Sequence, residues 1–301
     1  MNAATIYEHQ SLIRFRAEDG FLVVGLLVTK EHRRVQEIAE IPILLQIHGS
    51  LGHFLARGTP RLLPHALLDR GFSSFSINTR LASAGQITGQ GIFDNTMKDL
   101  DAAVSFLIHE GFRKIFVLGY SLGATMVIYW LANRNYPEVK GVILEGSAYS
   151  GPDSHKKRYG EYGSSPSYEA LYQKAKEVLG SDPYNSANDE TIIVYQSRGS
   201  TKEPLSDEIF TYKTWWFMQG PEAHAAMAHK HMDKIQLPIL LMRGEHDFLV
   251  EPWEPGALAG IAQRAGNNHV RSVEIPKARH DCMENSEAML EEIIRMIQTY
   301  A

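Results

Sequence analysis

A chain of 301 residues is long enough for one large core or two modest ones, because single hydrophobic cores stop growing near roughly 250–300 residues. Its 30 basic and 35 acidic residues leave a formal charge of −5, and 44% of the chain is apolar. That balance excludes a disordered polyelectrolyte and leaves no Lys/Arg block to suggest nucleic acid or an anionic membrane surface as a partner.

The sole cysteine, Cys282, rules out an internal disulfide and any multi-cysteine metal site. The first residues lack a basic leader followed by an apolar run. The longest apolar runs, at 21–28 and 41–47, fall far short of the roughly 20 residues that span a bilayer, so the expectation is a cytoplasmic protein.

In chain order, two β-rich stretches at 11–17 and 21–29 flank the turn Glu18-Asp19-Gly20 and read as a hairpin near a sheet edge. Residues 41–47 form a buried strand, 59–70 a helix and 72–77 a second strand. The pattern repeats as a helix over 95–109, a strand at 115–118, a helix at 122–134 and a strand at 139–144. It returns later as strand 239–242, helix 256–265, strand 270–275 and helix 286–300. Short continuous apolar strands alternating with helices indicate an α/β fold, a mostly parallel central sheet with helices on both faces.

Between Glu145 and Lys234 the rhythm breaks for about ninety residues, too long for a bare loop. Helices at 168–179, 207–217 and 221–231 and a short strand at 191–196 are expected there. The organisation reads as a core in two parts, 1–146 and 235–301, with 147–234 as a mainly helical cap.

Gly119-Tyr120-Ser121-Leu122-Gly123 is the sharpest feature of the chain. It matches G-x-S-x-G, with a strand immediately before it and a helix immediately after it. A turn that sharp strains the backbone at Ser121 and exposes its hydroxyl as a nucleophile. Serine needs a base, and the base needs an orienting carboxylate.

Asp247 lies just after strand 239–242 and His280 just after strand 270–275, both at carboxyl ends, where open α/β sheets place function. The order serine, acid, histidine is that of hydrolases with this elbow. Glu145 and Glu245 are the alternative acids.

The loop His48-Gly49-Ser50-Leu51 follows the first parallel strand. Its Ser50 N–H, or else that of Leu51, pairs with the Leu122 N–H as an oxyanion hole. His48, Gly49 and Arg80 read as structural near the site. Phe93, Tyr149, Trp215 and Trp216 are candidates for the substrate pocket; of the adjacent tryptophans, one is expected in a core and the other over the site. Gly85, Gly89 and Gly91 do not make a dinucleotide-binding pattern, and His224, His229 and His231 read as surface or lid-packing residues, with no metal called for. Cys282, two residues from His280, is either reactive or part of the pocket floor.

The loop after His48-Gly49, the elbow at Ser121, Asp247 and His280 together resemble the α/β-hydrolase superfamily, over nearly the whole chain from about Ser11 to Tyr300. Asn78-Thr79-Arg80, the 94–101 region and the 215–221 region resemble a little-characterised capped branch of serine hydrolases. The resemblance implies cofactor-free cleavage of an ester, thioester or amide of a small molecule through an acyl-enzyme. A serine at 121 disfavours the dehalogenase and epoxide-hydrolase reactions that use aspartate on this fold. Carbon–carbon bond hydrolysis, acyl transfer, lyase chemistry and a catalytically silent scaffold are the alternatives. The size is compatible with a homodimer, although no sequence feature marks its interface.

Overall fold

Strands that carry apolar side chains on both faces must be covered on both, and the strands at the centre of this protein are built that way. The computed structural model describes residues 10–29, 38–50, 52–82, 91–197 and 204–301; Leu51, Gly85 and Gly89 lie outside them.

The strands β1 (Gln10–Arg16), β2 (Leu22–Val28), β3 (Pro42–Ile47), β4 (Ser73–Asn78), β5 (Lys114–Tyr120), β6 (Val139–Glu145), β10 (Ile239–Gly244) and β11 (Val270–Ile275) form one sheet. Its order is β1-β2-β4-β3-β5-β6-β10-β11. The hairpin β1–β2 joins β4 antiparallel, and every pairing from β4 to β11 is parallel.

Alternation along the strands divides the core. Leu44, Phe116, Leu118, Ile143, Leu240 and Met242 point to one face, where they meet α1 (Thr59–Asp69) and the last helix, Ser286–Tyr300. Ile43, Leu45, Val117, Val142, Leu144 and Leu241 point to the other, toward α2 (Thr96–His109), α3 (Leu122–Asn133) and the helix Glu254–Arg264. Successive side chains of a strand leave on opposite faces, so a continuous apolar run serves both layers. Among the described residues no helix is long and apolar enough to cross a membrane.

An insertion separates β6 from β10. It contains α4 (Gly151–Tyr162), β7 (Ser164–Ser165), α5 (Tyr168–Leu179), β8 (Thr191–Ser197), β9 (Pro204–Thr211) and α6 (Tyr212–Met218). The last two helices of the molecule are thus α7 (Glu254–Arg264) and α8 (Ser286–Tyr300).

The insertion departs from the sequence expectation at three points. Residues 204–211 are a strand, pairing antiparallel with β8 in a three-stranded sheet β7-β8-β9, so only the end of the expected 207–217 helix is helical. Residues 221–231 hold 3-10 turns at His224–Ala226 and Ala228–Lys230 where a continuous helix was expected. A helix that was not expected, α4, starts at Ser150, whose side chain accepts the Asp153 N–H.

Candidate active site

The groups singled out at Ser121, Asp247 and His280 meet at the carboxyl end of the sheet. Ser121 joins β5 to α3 with φ 54° and ψ −121°, the strained turn expected of the elbow. Two glycines permit it: a Cβ on Gly119 would lie 2.4 Å from the Gly123 carbonyl oxygen, and one on Gly123 would lie 2.5 Å from that of His48. The Ser121 N–H donates to the Glu145 carbonyl at 2.7 Å, which fixes the turn against the end of β6.

His280 Nε2 lies 2.9 Å from Ser121 Oγ, and His280 Nδ1 lies 2.8 Å from Asp247 Oδ2. With Nδ1 carrying the proton, His280 donates to Asp247 and is free to accept from the serine hydroxyl. Asp247 Oδ1 accepts the backbone N–H groups of Leu249 and Val250 at 2.8 and 3.2 Å. Burial works to raise the Asp247 carboxyl, but the bonds from His280, Leu249 and Val250 outweigh it and hold its pKa below the usual carboxylate value. The alternative acids do not pair with His280: Glu245 accepts the Lys277 N–H on the surface, and Glu145 is engaged by Thr59.

The loop after β3 packs against the nucleophile, since a Cβ on Gly49 would lie 3.0 Å from Ser121 Cβ. His48 Nδ1–H donates to the Gly49 carbonyl at 2.7 Å, while its Nε2 accepts from Thr79 N and Oγ1 at 3.2 and 3.1 Å. The same Gly49 carbonyl takes the Gly52 N–H, which holds the turn. His48 is therefore fully engaged in shaping the loop, and burial depresses its pKa to about 4. Leu122 opens α3, so its N–H stands outside the intrahelical ladder beside Ser121.

Residues 43–287 match the family model described as serine aminopeptidase, S33. The chain belongs to this family. It is an α/β-hydrolase of the serine-hydrolase type. Solved structures share the architecture at low identity. The esterase Pf2001 of Pyrococcus furiosus is 16% identical with a TM-score of 0.67, over 97% of this chain and 91% of that one. DcsB, in complex with its substrate analogue, is 12% identical with a TM-score of 0.71, over 97% and 100%. Est1E from Butyrivibrio proteoclasticus, with ferulic acid bound, is 14% identical with a TM-score of 0.63, over 96% and 98%. These likenesses establish the fold. No curated protein matches the sequence significantly.

Other residues of the hydrolase are placed as follows. Arg80 is buried, donating to Asp99 and Asp19 at 2.8 Å each, and ties the hairpin to α2. Phe93 and Trp215 have no accessible surface, which removes them from any pocket wall, and Trp216 stacks on Tyr172 with 9% of its surface exposed. Both tryptophans therefore pack within the insertion, contrary to the expectation that one covers the site. Of the four pocket candidates only Tyr149 is partly open, its ring stacked on His229 at 4.5 Å and 5.2 Å from the exposed Trp253. His229 and His231 bond to the Tyr149 and His224 carbonyls, and no metal-holding cluster occurs among the described residues. Cys282 is buried and its thiol is pushed up by burial, the opposite of a reactive thiol.

Sequence reasoning missed three contributors. Arg243, buried at the end of β10, donates to the Val250 and Asp247 carbonyls at 2.8 and 2.9 Å and so shapes the acid loop. Gly146 has φ +61°, and a Cβ there would lie 2.7 Å from His280 Cε1. Glu254 accepts the Tyr149 N–H and the Glu251 N–H, joining the start of the insertion to the acid loop. Arg243 carried a readable signal, a cation closing a strand whose other residues are apolar.

Proposed function

We propose that this hydrolase cleaves esters of small, aromatic or moderately apolar molecules through an acyl-enzyme on Ser121. The observation that carries the reading is the continuous hydrogen-bonded line from Ser121 Oγ through His280 to Asp247 at 2.9 and 2.8 Å. Ser121 Oγ attacks the carbonyl carbon as its proton passes to His280 Nε2, and Asp247 stabilises the imidazolium. The backbone N–H groups of Leu122 and Ser50 receive the developing oxyanion. Collapse breaks the ester C–O bond, and His280 gives its proton to the departing alcohol. A water molecule, deprotonated by His280, then releases the acid and restores Ser121.

Residues 147–234 act as a cap on the core in this reading. The ring cluster of Tyr149, His229 and Trp253, which joins the start of the insertion to the segment after Asp247, supports a planar or apolar acyl group in this reading. Est1E, which carries ferulic acid, and Pf2001, an esterase, favour ester over amide as the first bond to test. A reducing, cytoplasmic setting belongs to the same proposal and is supported by the single buried cysteine.

The test is intact-protein mass after exposure to a fluorophosphonate, alongside turnover of a panel of p-nitrophenyl esters, thioesters and amides. One adduct on the wild type and none on S121A, with ester turnover lost in H280A, is the expected result. An adduct that persists in S121A overturns the assignment. Labelling of Ser121 without hydrolysis of any member of the panel redirects the reading to acyl transfer or lyase chemistry.

A further inference from the structure

A buried carboxyl directly behind the site is not used by the chemistry above. Glu145 ends β6 with no accessible surface, and its main-chain carbonyl already holds the Ser121 N–H. Its Oε1 lies 2.8 Å from Thr59 Oγ1, at the start of α1. The same Thr59 Oγ1 lies 3.0 Å from the carbonyl oxygen of Asp281, the residue after His280. Glu145 Oε2 is buried without a hydrogen-bond partner.

Proton counting makes this arrangement informative. A threonine hydroxyl has one proton to donate, and both a carboxylate and a backbone carbonyl only accept. With Glu145 ionised, Thr59 satisfies one acceptor and leaves the other short of a donor, while Oε2 holds negative charge with no donor stronger than the neighbouring Cys282 thiol. With Glu145 protonated, its Oε1–H donates to Thr59 Oγ1, Thr59 donates to the Asp281 carbonyl, and both contacts are made.

We propose that Glu145 is an uncharged carboxylic acid in the working enzyme, and that the relay from Glu145 through Thr59 to the Asp281 carbonyl positions the His280 loop against Ser121. Glu145 is thus a positioning residue, acting through Thr59 and the loop without touching substrate. The proposal rests on the acyl-enzyme reading for its consequence in activity, but not for the protonation itself.

The surroundings agree. The titratable groups facing Glu145 are Asp281 and Cys282 on the histidine loop, Asp247 on the acid loop and Tyr120 on β5, with the His280 ring across Gly146. Burial is the largest influence on the Glu145 carboxyl and raises it; Asp281 and Asp247 add to the rise, the Thr59 and Cys282 contacts oppose it, and the result is about 8. Tyr120 and Cys282 are both pushed up, away from that range.

At neutral pH the acid keeps its proton and the relay is intact; above about pH 8 the proton leaves and the relay loses its first donor. Glutamine at 145 offers an N–H to Thr59 at every pH, so E145Q imitates the protonated form.

The experiment follows the rate of Ser121 labelling by a fluorophosphonate in the wild type, E145Q, T59V and T59S, together with the infrared carbonyl band of a protonated carboxylic acid. The expected result is a band in the wild type that is absent from E145Q and disappears with a midpoint of about 8. Labelling of the wild type falls through the same midpoint while E145Q stays level across it. T59V labels about tenfold more slowly at neutral pH, the scale of a misplaced reacting group, and T59S restores the rate.

Absence of the band at neutral pH overturns the proposal, whatever the rates. A band that titrates while the wild type and E145Q lose labelling together overturns the positioning role. If the band titrates but the wild type is not labelled at all, Ser121 as nucleophile fails and the protonation of Glu145 stands.

Discussion

The central sheet and the insertion after β6 are held together differently. In the sheet the central strands β3, β5, β6 and β10 bury side chains on both faces, and the candidate catalytic groups leave from its carboxyl end, where neighbouring backbone fixes them: Ser121 by the Glu145 carbonyl, and Asp247 by the amides of Leu249 and Val250. The insertion relies on ring contacts such as Trp216 on Tyr172 and Tyr149 on His229, and its small sheet exposes Ile193, Tyr195 and Ile209. Backbone-held groups tolerate little displacement, whereas stacked side chains repack at modest cost. The contrast puts Ser121, His280 and Asp247 in the backbone-held layer, and under the proposed function it leaves the insertion to shape access to them.

Substitutions that sever the fixed layer carry the largest expected effects. D247N keeps the shape of the acid but removes its charge, and kcat should fall by about 10⁴-fold at an unchanged unfolding midpoint. A loss below about tenfold would mean that His280 takes its orientation from elsewhere.

G146A comes next, with a new Cβ 2.7 Å from His280 Cε1 at a φ of +61°. Turnover should drop by about 10²- to 10³-fold, while near-ultraviolet circular dichroism reports a folded core.

Acid should weaken the same layer through His48. Its pKa is about 4 in the folded protein, below the ordinary 6.5, so the unfolded chain takes up the proton first. The stability His48 contributes by staying neutral is complete above about pH 6.5 and is lost as pH falls toward 4, in total about 3 kcal/mol. His155, buried beside Arg158, shifts in the same direction. Urea midpoints from pH 7 down to 4.5 should fall in the wild type and fall less in H48N; equal slopes would remove His48 as the cause.

The insertion should respond more gently. Y149A should raise KM by about tenfold and change kcat by less than about threefold, since it removes a ring of the Tyr149–His229–Trp253 cluster and leaves Ser121, His280 and Asp247 in place. A collapse of kcat instead would move Tyr149 into the fixed layer. I193K, on the exposed face of the insertion's sheet, should alter stability by less than about 0.5 kcal/mol. A larger loss would show that this face is covered in solution.

The core was legible because its signals are local. Residues 43–45, 115–118 and 239–242 are short apolar runs, and helix 168–179 carries its buried residues at helical spacing and matches α5. The insertion was less so. Residues 204–211 become strand β9 through hydrogen bonds to β8, a partner that helical periodicity cannot reveal. Helix α4 has almost no apolar stripe, and its signal lay in Ser150, Pro152 and Asp153, a side-chain cap with proline in the first turn.

By itself the sequence determined the alternating layers and the strained turn at Ser121, because each depends on residues adjacent in the chain, and the order of serine, acid and histidine can be read directly along it. Only the tertiary structure decided that Asp247, and not Glu145 or Glu245, faces His280. It alone removed Trp215 from the pocket candidates and set Glu145, Thr59 and Asp281 in one line. Those outcomes depend on which strand ends and loops meet across 33 to 222 residues of chain, and distance along the sequence carries no record of that meeting.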